Sequence, residues 1–289
     1  MAIKVSEIFR SIQGEGDMTG RLSIWIRFFG CNLRCEGFYQ EDPTNPKTFK
    51  KTIVDWTKVT KMADLPVFEY GCDSEYSWHP AYKKLVTTYK DAAALVEDLK
   101  PFLYEGNKWE HPVTENMIDL CFTGGEPMLQ QKAMVDIMRE IKCNDKMITV
   151  QVETNGTKPL QRVLQDYVVN GGIEHDIHFN ISPKLYNVSG EKGAVIHENI
   201  WAYQELTTSG ILKFVINNDD AAWADLNLHV KILRDMGVWF PVYIMPVGAT
   251  KEQQEDSAVI SAIANRAIEN GYHVSGRLHC NMFGNAMGV

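Results

Sequence analysis

The chain predicts an α/β fold, a curved and partly open barrel of six βα units, and three observations carry that prediction. Apolar strands alternate with amphipathic helical stretches, the rhythm of a parallel sheet. The units number six, too few to close an eight-stranded barrel. The glycine- and cysteine-bearing turns fall at the carboxyl ends of the predicted strands, where α/β proteins place their active sites. The strands are residues 23–29, which alternate cleanly, then 117–123, 147–153, 178–182, 210–216 and 239–245. The helical stretches are 89–103, 128–142, 159–169, 196–206, 221–236 and 252–270, with a further short strand at 272–276. One domain spans 1–289. Residues 36–71 depart from the rhythm and hold Pro43, Pro46 and Pro66; they read as an insertion. A structureless loop of that length is unusual inside a compact domain, so it carries helix of its own or a function.

With 45% hydrophobic and 23% charged residues, the composition is that of an ordinary globular protein. The net charge of −8 argues against wrapping DNA or RNA by the phosphates and favours a small-molecule substrate. The start, Met1 to Glu7, has no secretory pattern and no apolar run is of membrane-spanning length, so a cytoplasmic location is expected. In that compartment the six cysteines are thiols or ligands rather than disulfides. Lys47, Lys50, Lys51, Lys58 and Lys61 crowd the insertion, as a solvated surface or as a docking face for an acidic electron donor.

Cys31 and Cys35 stand in Gly30-Cys31-Asn32-Leu33-Arg34-Cys35, directly after the first strand, and Cys72 follows the insertion. Three thiolates on a four-iron cluster leave one iron open to bind a cofactor or substrate. A structural zinc site from Cys31, Cys35, Cys72 and His79 is the competing reading. Cys121, Cys143 and Cys280 read as inert, buried thiols. Thr123-Gly124-Gly125-Glu126-Pro127 joins a strand to a helix; its glycines let backbone approach a ligand, and Glu126 adds an acceptor for an ammonium group. Arg27 lies inside an apolar strand, where its charge requires an anionic partner.

The cysteine loop and glycine turn together resemble the radical S-adenosylmethionine (SAM) superfamily. Glu7-Ile8-Phe9-Arg10-Ser11-Ile12-Gln13-Gly14-Glu15-Gly16, Cys72-Asp73-Ser74-Glu75-Tyr76-Ser77-Trp78, Glu153-Thr154-Asn155-Gly156-Thr157, Ile181-Ser182-Pro183-Lys184 and Gly276-Arg277-Leu278-His279 resemble 7-carboxy-7-deazaguanine synthases over nearly the whole chain. That resemblance implies a partial, open (β/α)6 radical SAM barrel with the insertion in its cluster-binding loop. It implies a 4Fe-4S cluster on Cys31, Cys35 and Cys72, and SAM held by Gly124, Gly125, Glu126, Ser182 and Lys184, with Glu153 and Asn155 on SAM or substrate. Gln13, Glu15, Arg27, Thr123 and His279 fall to the substrate, and Ser74 to Mg2+. The implied reaction is ring contraction of 6-carboxy-5,6,7,8-tetrahydropterin to 7-carboxy-7-deazaguanine with loss of ammonia. The electron would come from flavodoxin or ferredoxin, and the implied assembly is a homodimer. Two departures stand out: Gly71, not an aromatic residue, precedes Cys72, with Tyr70 one place earlier, and the spacing to Cys72 is long. A glycyl-radical-enzyme activase, or a non-catalytic protein that binds a partner through the insertion, are the alternatives.

Overall fold

The structure, a computed structural model, describes residues 2–141, 146–170, 175–207 and 209–288. Its described residues form one sheet of β1 (Ile3–Ile12), β2 (Leu22–Phe28), β3 (Thr87–Tyr89), β4 (Asp119–Gly124), β5 (Ile148–Thr154), β6 (His175–Ile181), β7 (Gly210–Ile216), β8 (Val242–Pro246) and β9 (His273–Val274). The spatial order is β3-β1-β2-β4-β5-β6-β7-β8-β9. From β2 to β9 every neighbouring pair is parallel, whereas β1 runs antiparallel to both β2 and β3. β3 and β9 are free edges, so the sheet is open, as expected.

Strand alternation sorts the side chains into two environments. Ile24, Ile26 and Phe28 of β2, Leu120 and Phe122 of β4, Val150 and Val152 of β5, Phe179 and Ile181 of β6 and Leu212, Phe214 and Ile216 of β7 join one buried apolar core. Helices α1 (Ala92–Glu97), α2 (Gln131–Glu140), α3 (Arg162–Asn170), α4 (Tyr186–Ser189), α5 (His197–Leu206), α6 (Asp220–Asp235), α7 (Lys251–Gln254), α8 (Ser257–Glu269) and α9 (Leu278–Phe283) complete the chain order. Met134, Leu164, Ile200, Leu226 and Ile263 from α2, α3, α5, α6 and α8 fill the same core. The alternate residues, among them Arg27, Gln151, Glu153, His178, Asn180 and Lys213, lie on the opposite face. That face is polar.

The six predicted parallel strands are β2 and β4 to β8, and the short seventh is β9. Four points need correction. β1 was not anticipated, because its alternation of Ile3 and Val5 is broken by a register shift between Val5 and Glu7. The helix expected over 89–103 yields Tyr89 to β3, keeps only α1, capped by Asp91, and ends in a 3-10 turn at Lys100–Phe102. The helix expected over 252–270 is two: Thr250 and Gln253 form a capping box for α7, and Asp256 accepts from the Val259 N–H to start α8. The helix expected over 128–142 begins as a 3-10 turn at Pro127–Gln130; Lys142 and Cys143 lie outside the described residues.

The insertion carries no α-helix among the described residues, only 3-10 turns at Pro46–Thr48 and Met62–Asp64. A second small core organises it instead, in which Val59, Met62, Leu65 and Phe68 pack with Tyr76 and Tyr82 from beyond Cys72. Its lysines are exposed, and Lys51 pairs with Glu36 and Lys58 with Asp55. The insertion also holds Glu36, Glu41, Asp42, Asp55, Asp64 and Glu69, so it presents no net basic face.

Candidate active site

A cavity of about 290 Å3 opens at the carboxyl ends of the parallel strands. Cys31, Cys35, Cys72, Ser74, Gln13, Glu15, Arg27, Thr123, Gly124, Gly125, Glu153, Asn155, Ser182, Lys184 and His279 all line it. Glu126 does not: its carboxylate is fully buried, accepting from the Met128 N–H (2.9 Å), Thr154 Oγ1 (2.7 Å) and the Asn155 N–H (2.7 Å). It braces the start of the following helix against the end of β5. Burial nevertheless pushes this carboxyl up from its ordinary value.

The cysteine loop is held from two sides. Glu191 Oε1 accepts from the N–H groups of both Arg34 and Cys35, at 2.6 Å each, and Cys35 sits in the left-handed region at φ 52°. Such a conformation in a residue with a Cβ persists only where the surroundings fix it. On the other side the Gly30 carbonyl accepts from the Glu126 N–H at 2.9 Å. The glycine turn packs directly on this loop: a Cβ on Gly124 would lie 2.2 Å from the Phe28 oxygen, and one on Gly125 would lie 2.3 Å from the Gly30 oxygen.

Among the described residues no group of three or more His, Cys, Asp or Glu side chains is placed to hold a metal ion. His79 is engaged elsewhere, its Nδ1 accepting from the Ala81 N–H and its ring edge-on to Trp78 and Tyr82. In a 4Fe-4S cubane each cysteine binds a different iron, so three thiols on one wall need not converge on a point. Burial pushes Cys31 up to about 11 and Cys72 to about 12, and Cys35 well above its ordinary value. Such thiols stay protonated unless a cationic cluster replaces the proton. Cys121 is buried in β4, as expected, and Cys280, also buried, reaches the cavity wall. Lys184 Nζ donates to Ser182 Oγ at 2.9 Å beside this wall and lies 5.6 Å from the Phe38 ring of the insertion.

Below the cysteines the cavity has a charged floor. The segment after β1 supplies it: Gln13 Nε2 donates to Gln151 Oε1 (2.6 Å) and Glu153 Oε1 (3.0 Å), and Gln13 Oε1 accepts from the Glu15 N–H. The absence of a Cβ at Gly14 is what admits His279, whose Nδ1 would be 1.9 Å from it. Glu15 pairs through Oε2 with Lys213 (2.6 Å) and through Oε1 with Arg277 (2.9 Å), while Lys213 also meets Glu153 Oε2 at 2.8 Å. Burial alone would raise the Glu15 carboxyl, but Lys213 and Arg277 hold it well below the usual carboxylate range. Burial and the neighbouring Arg277 push His279 down to about 4.

Arg277 reaches upward too, donating to Asp73 Oδ2 at 2.7 Å, next to Cys72 and Ser74. The anionic partner that Arg27 requires is Glu7, 2.7 Å from its Nε; Tyr76 donates to the same carboxylate oxygen, and Arg27 Nη1 donates to Ser74 Oγ at 3.2 Å. Sequence reasoning gave no role to Glu7, Asp73, Glu191, Lys213 or Arg277. Lys213 carried the clearest signal, a charge inside the apolar run from Ile211 to Ile216, the same signal that marked Arg27.

An open sheet bearing this cysteine loop and glycine turn is the arrangement that the resemblance to radical SAM proteins implies. The fold agrees with the crystal structure of QueE from Escherichia coli, at a TM-score of 0.57 and 16% identity over 96% of this chain and 95% of that one. No family model matches the chain. In sequence it is 27% identical to the 7-carboxy-7-deazaguanine synthase of Methanospirillum hungatei, over 90% of this chain and 79% of the relative. It is 26% identical to that of Hyperthermus butylicus, over 96% and 91%. Over most of its length the chain is thus similar to 7-carboxy-7-deazaguanine synthases. Among the described residues no helix is long and apolar enough to cross a membrane.

Proposed function

We propose that the chain is a radical SAM lyase that contracts the ring of 6-carboxy-5,6,7,8-tetrahydropterin to 7-carboxy-7-deazaguanine with loss of ammonia, on the route to queuosine or a modified DNA guanine. One observation carries the reading: the three cysteines, the glycine turn and the charged floor line a single cavity. Cys31, Cys35 and Cys72 would hold a 4Fe-4S cluster. Gly124, Gly125, Asn155, Ser182 and Lys184 surround the place for SAM. When bound, cluster and SAM supply abstraction and return of a hydrogen atom.

The protein's own residues bind, orient and exclude water. Glu15 and Glu153 offer acceptors to the donor edge of the pterin, and Gln13 fixes both through its amide. Arg27, anchored by Glu7 at its Nε and by Ser74 at its Nη1, presents Nη2 to a carboxylate. Thr123 and His279 close the wall around the ring, and the lowered pKa keeps His279 neutral at physiological pH. Ser74 Oγ and Asp73 Oδ1 lie 3.1 Å apart, two hard oxygen donors suited to Mg2+. A floor built for a small polar molecule favours this reading over a glycyl-radical activase, whose substrate is a protein. The reading includes a flavodoxin or ferredoxin as electron donor and a homodimeric assembly.

The test is an anaerobic assay of iron-reconstituted protein with SAM, reductant, Mg2+ and the pterin, read by mass spectrometry. Product beyond one turnover per chain supports the synthase. SAM cleavage without product overturns the substrate assignment.

A further inference from the structure

We infer that Lys213 is a positioning residue for substrate: its buried ammonium ties Glu15 to Glu153 and holds the two carboxylates side by side, facing the donor edge of the pterin. This rests on the proposed substrate. Lys213 sits at the middle of β7 with its side chain 3% exposed, whereas the carboxylates it joins are 15% and 14% exposed and line the cavity. The two acids come from distant parts of the chain, the segment after β1 and the end of β5, and Lys213 is the cation they share.

The two acids are not equally protected. Glu15 keeps a second cation, Arg277, on its other oxygen. Among the described residues, Glu153 has on its other oxygen only the neutral amide of Gln13. Also near the pair are His279 from α9, held neutral, Cys280 from α9 and Cys121 from β4, whose thiols burial pushes up, and Asp73 beside Cys72, which Arg277 holds below its ordinary value. None of them replaces a missing ammonium. Without Lys213 no cation would stand between the two buried carboxylates, and the acceptor oxygens of Glu153 would no longer be held toward the donor edge of the pterin.

Lys213→Met is the test, in the reconstituted enzyme beside wild type and Lys213→Arg, with KM and kcat measured for the pterin. Loss of one charge-assisted contact raises KM by about tenfold or more at neutral pH. The kcat changes less than KM, and Lys213→Arg, which keeps a cation between the acids, recovers most of the affinity. The second readout needs no turnover: Lys213→Met apoprotein unfolds in less urea than wild type because the two buried carboxylates stand unbridged, and Lys213→Met/Glu153→Gln recovers part of that loss. A wild-type KM in Lys213→Met overturns the inference, as does a loss falling equally on kcat and KM, the pattern of a merely structural lysine. If wild type itself does not turn over the pterin, the proposed function fails. The urea midpoints then decide alone: recovery in the double variant supports Lys213 as the group that ties Glu15 to Glu153, and no recovery overturns it.

Discussion

Gly125→Ala tests whether the glycine turn and the cysteine loop are one rigid unit. The new Cβ would lie 2.3 Å from the Gly30 oxygen, 2.6 Å from its carbonyl carbon and 2.8 Å from Cys31 Cβ, where ordinary contact begins at 3.4 Å. Backbone therefore has to retreat by about 1 Å, and no flexible side chain can absorb it. The retreating peptide is tied by the Gly30 N–H to the Ser77 oxygen at 2.7 Å and by the Gly30 carbonyl to the Glu126 N–H at 2.9 Å. Overpacking costs about 1–3 kcal/mol and a lost hydrogen bond about 1 kcal/mol more. A sum of roughly 2–4 kcal/mol is a large part of the ~5–15 kcal/mol that stabilises a typical domain. Gly271→Ala is the control: its φ of 73° strains an alanine, but nothing lies within 4 Å of the new Cβ. That strain alone costs about 1 kcal/mol. Urea unfolding of the two apoproteins by circular dichroism gives the difference, and iron bound per chain after reconstitution reports the loop. If Gly125→Ala unfolds within a few tenths of a kcal/mol of Gly271→Ala and binds iron normally, the close approach is soft and the rigid-unit argument fails.

Three further outcomes are expected. Glu191→Ala removes the acceptor of two backbone N–H groups at the strained Cys35, a loss of about 1.5–3 kcal/mol per charge-assisted bond, so the reconstituted variant should surrender iron to a chelator faster than wild type; equal rates would show that Glu191 does not hold the loop. His279 is depressed to about 4 from an ordinary 6.5, so the unfolded state binds the extra proton between those values and wild-type stability falls by roughly 3 kcal/mol as pH drops through that window. His279→Gln should flatten that stretch of the stability curve, whereas the Glu15 contribution, present above its ordinary 4.5, is lost only as pH falls below it; an unchanged slope in His279→Gln removes the buried histidine as the cause. Ser74→Ala should weaken the response of turnover to Mg2+ while SAM cleavage persists, and Ser74→Thr should preserve it; the same Mg2+ dependence in all three proteins takes Ser74 out of the cation site.

What the sequence made legible was whatever repeats or sits in an uninterrupted local pattern. The parallel strands are short apolar runs between helical stretches, and β2 and β4 to β8 follow from that rhythm. β1 breaks the pattern: the register shift after Val5 moves its side chains from one face to the other, and charged Glu7 and Arg10 lie where period-two reading expects apolar residues. The cavity wall was legible in the same local way, since Cys31, Cys35, Gly124 and Gly125 lie in contiguous motifs. Their supports were not. Glu191 reaches Cys35 across 156 positions and Lys213 reaches Glu15 across 198, and no spacing rule spans such distances. Glu126 shows the converse: its neighbours in the motif line the cavity, but two donors at the end of β5 and the Met128 N–H of the following turn hold its carboxylate in the core.

The floor continues beneath the cavity as a polar network, and its connectivity explains why the site can be stiff. Gln151 Oε1 accepts from Gln13 and from Asn180, its Nε2 donates to Asp119 Oδ2, and Asp119 Oδ1 accepts from Arg21 at the amino end of the sheet. Asn180 Oδ1 in turn meets His178 Nε2, and His178 Nδ1 meets Ser209 Oγ. These groups are mutually satisfied, and a satisfied buried network fixes side-chain positions that an apolar core would leave to packing alone. Glu7, Glu15, Glu153 and Asp73 are likewise matched by Arg27, Arg277 and Lys213 before any ligand enters. A substrate therefore meets charges that are already oriented and has to exchange contacts rather than create them, so its affinity depends on how well each donor fits its acceptor and little on net attraction. Arg277 joins the two halves of this arrangement, with Glu15 of the floor on its Nε and Asp73 of the cysteine loop on its Nη2. The floor of the cavity and the residue beside Cys72 are thereby fixed to one another through the Arg277 guanidinium.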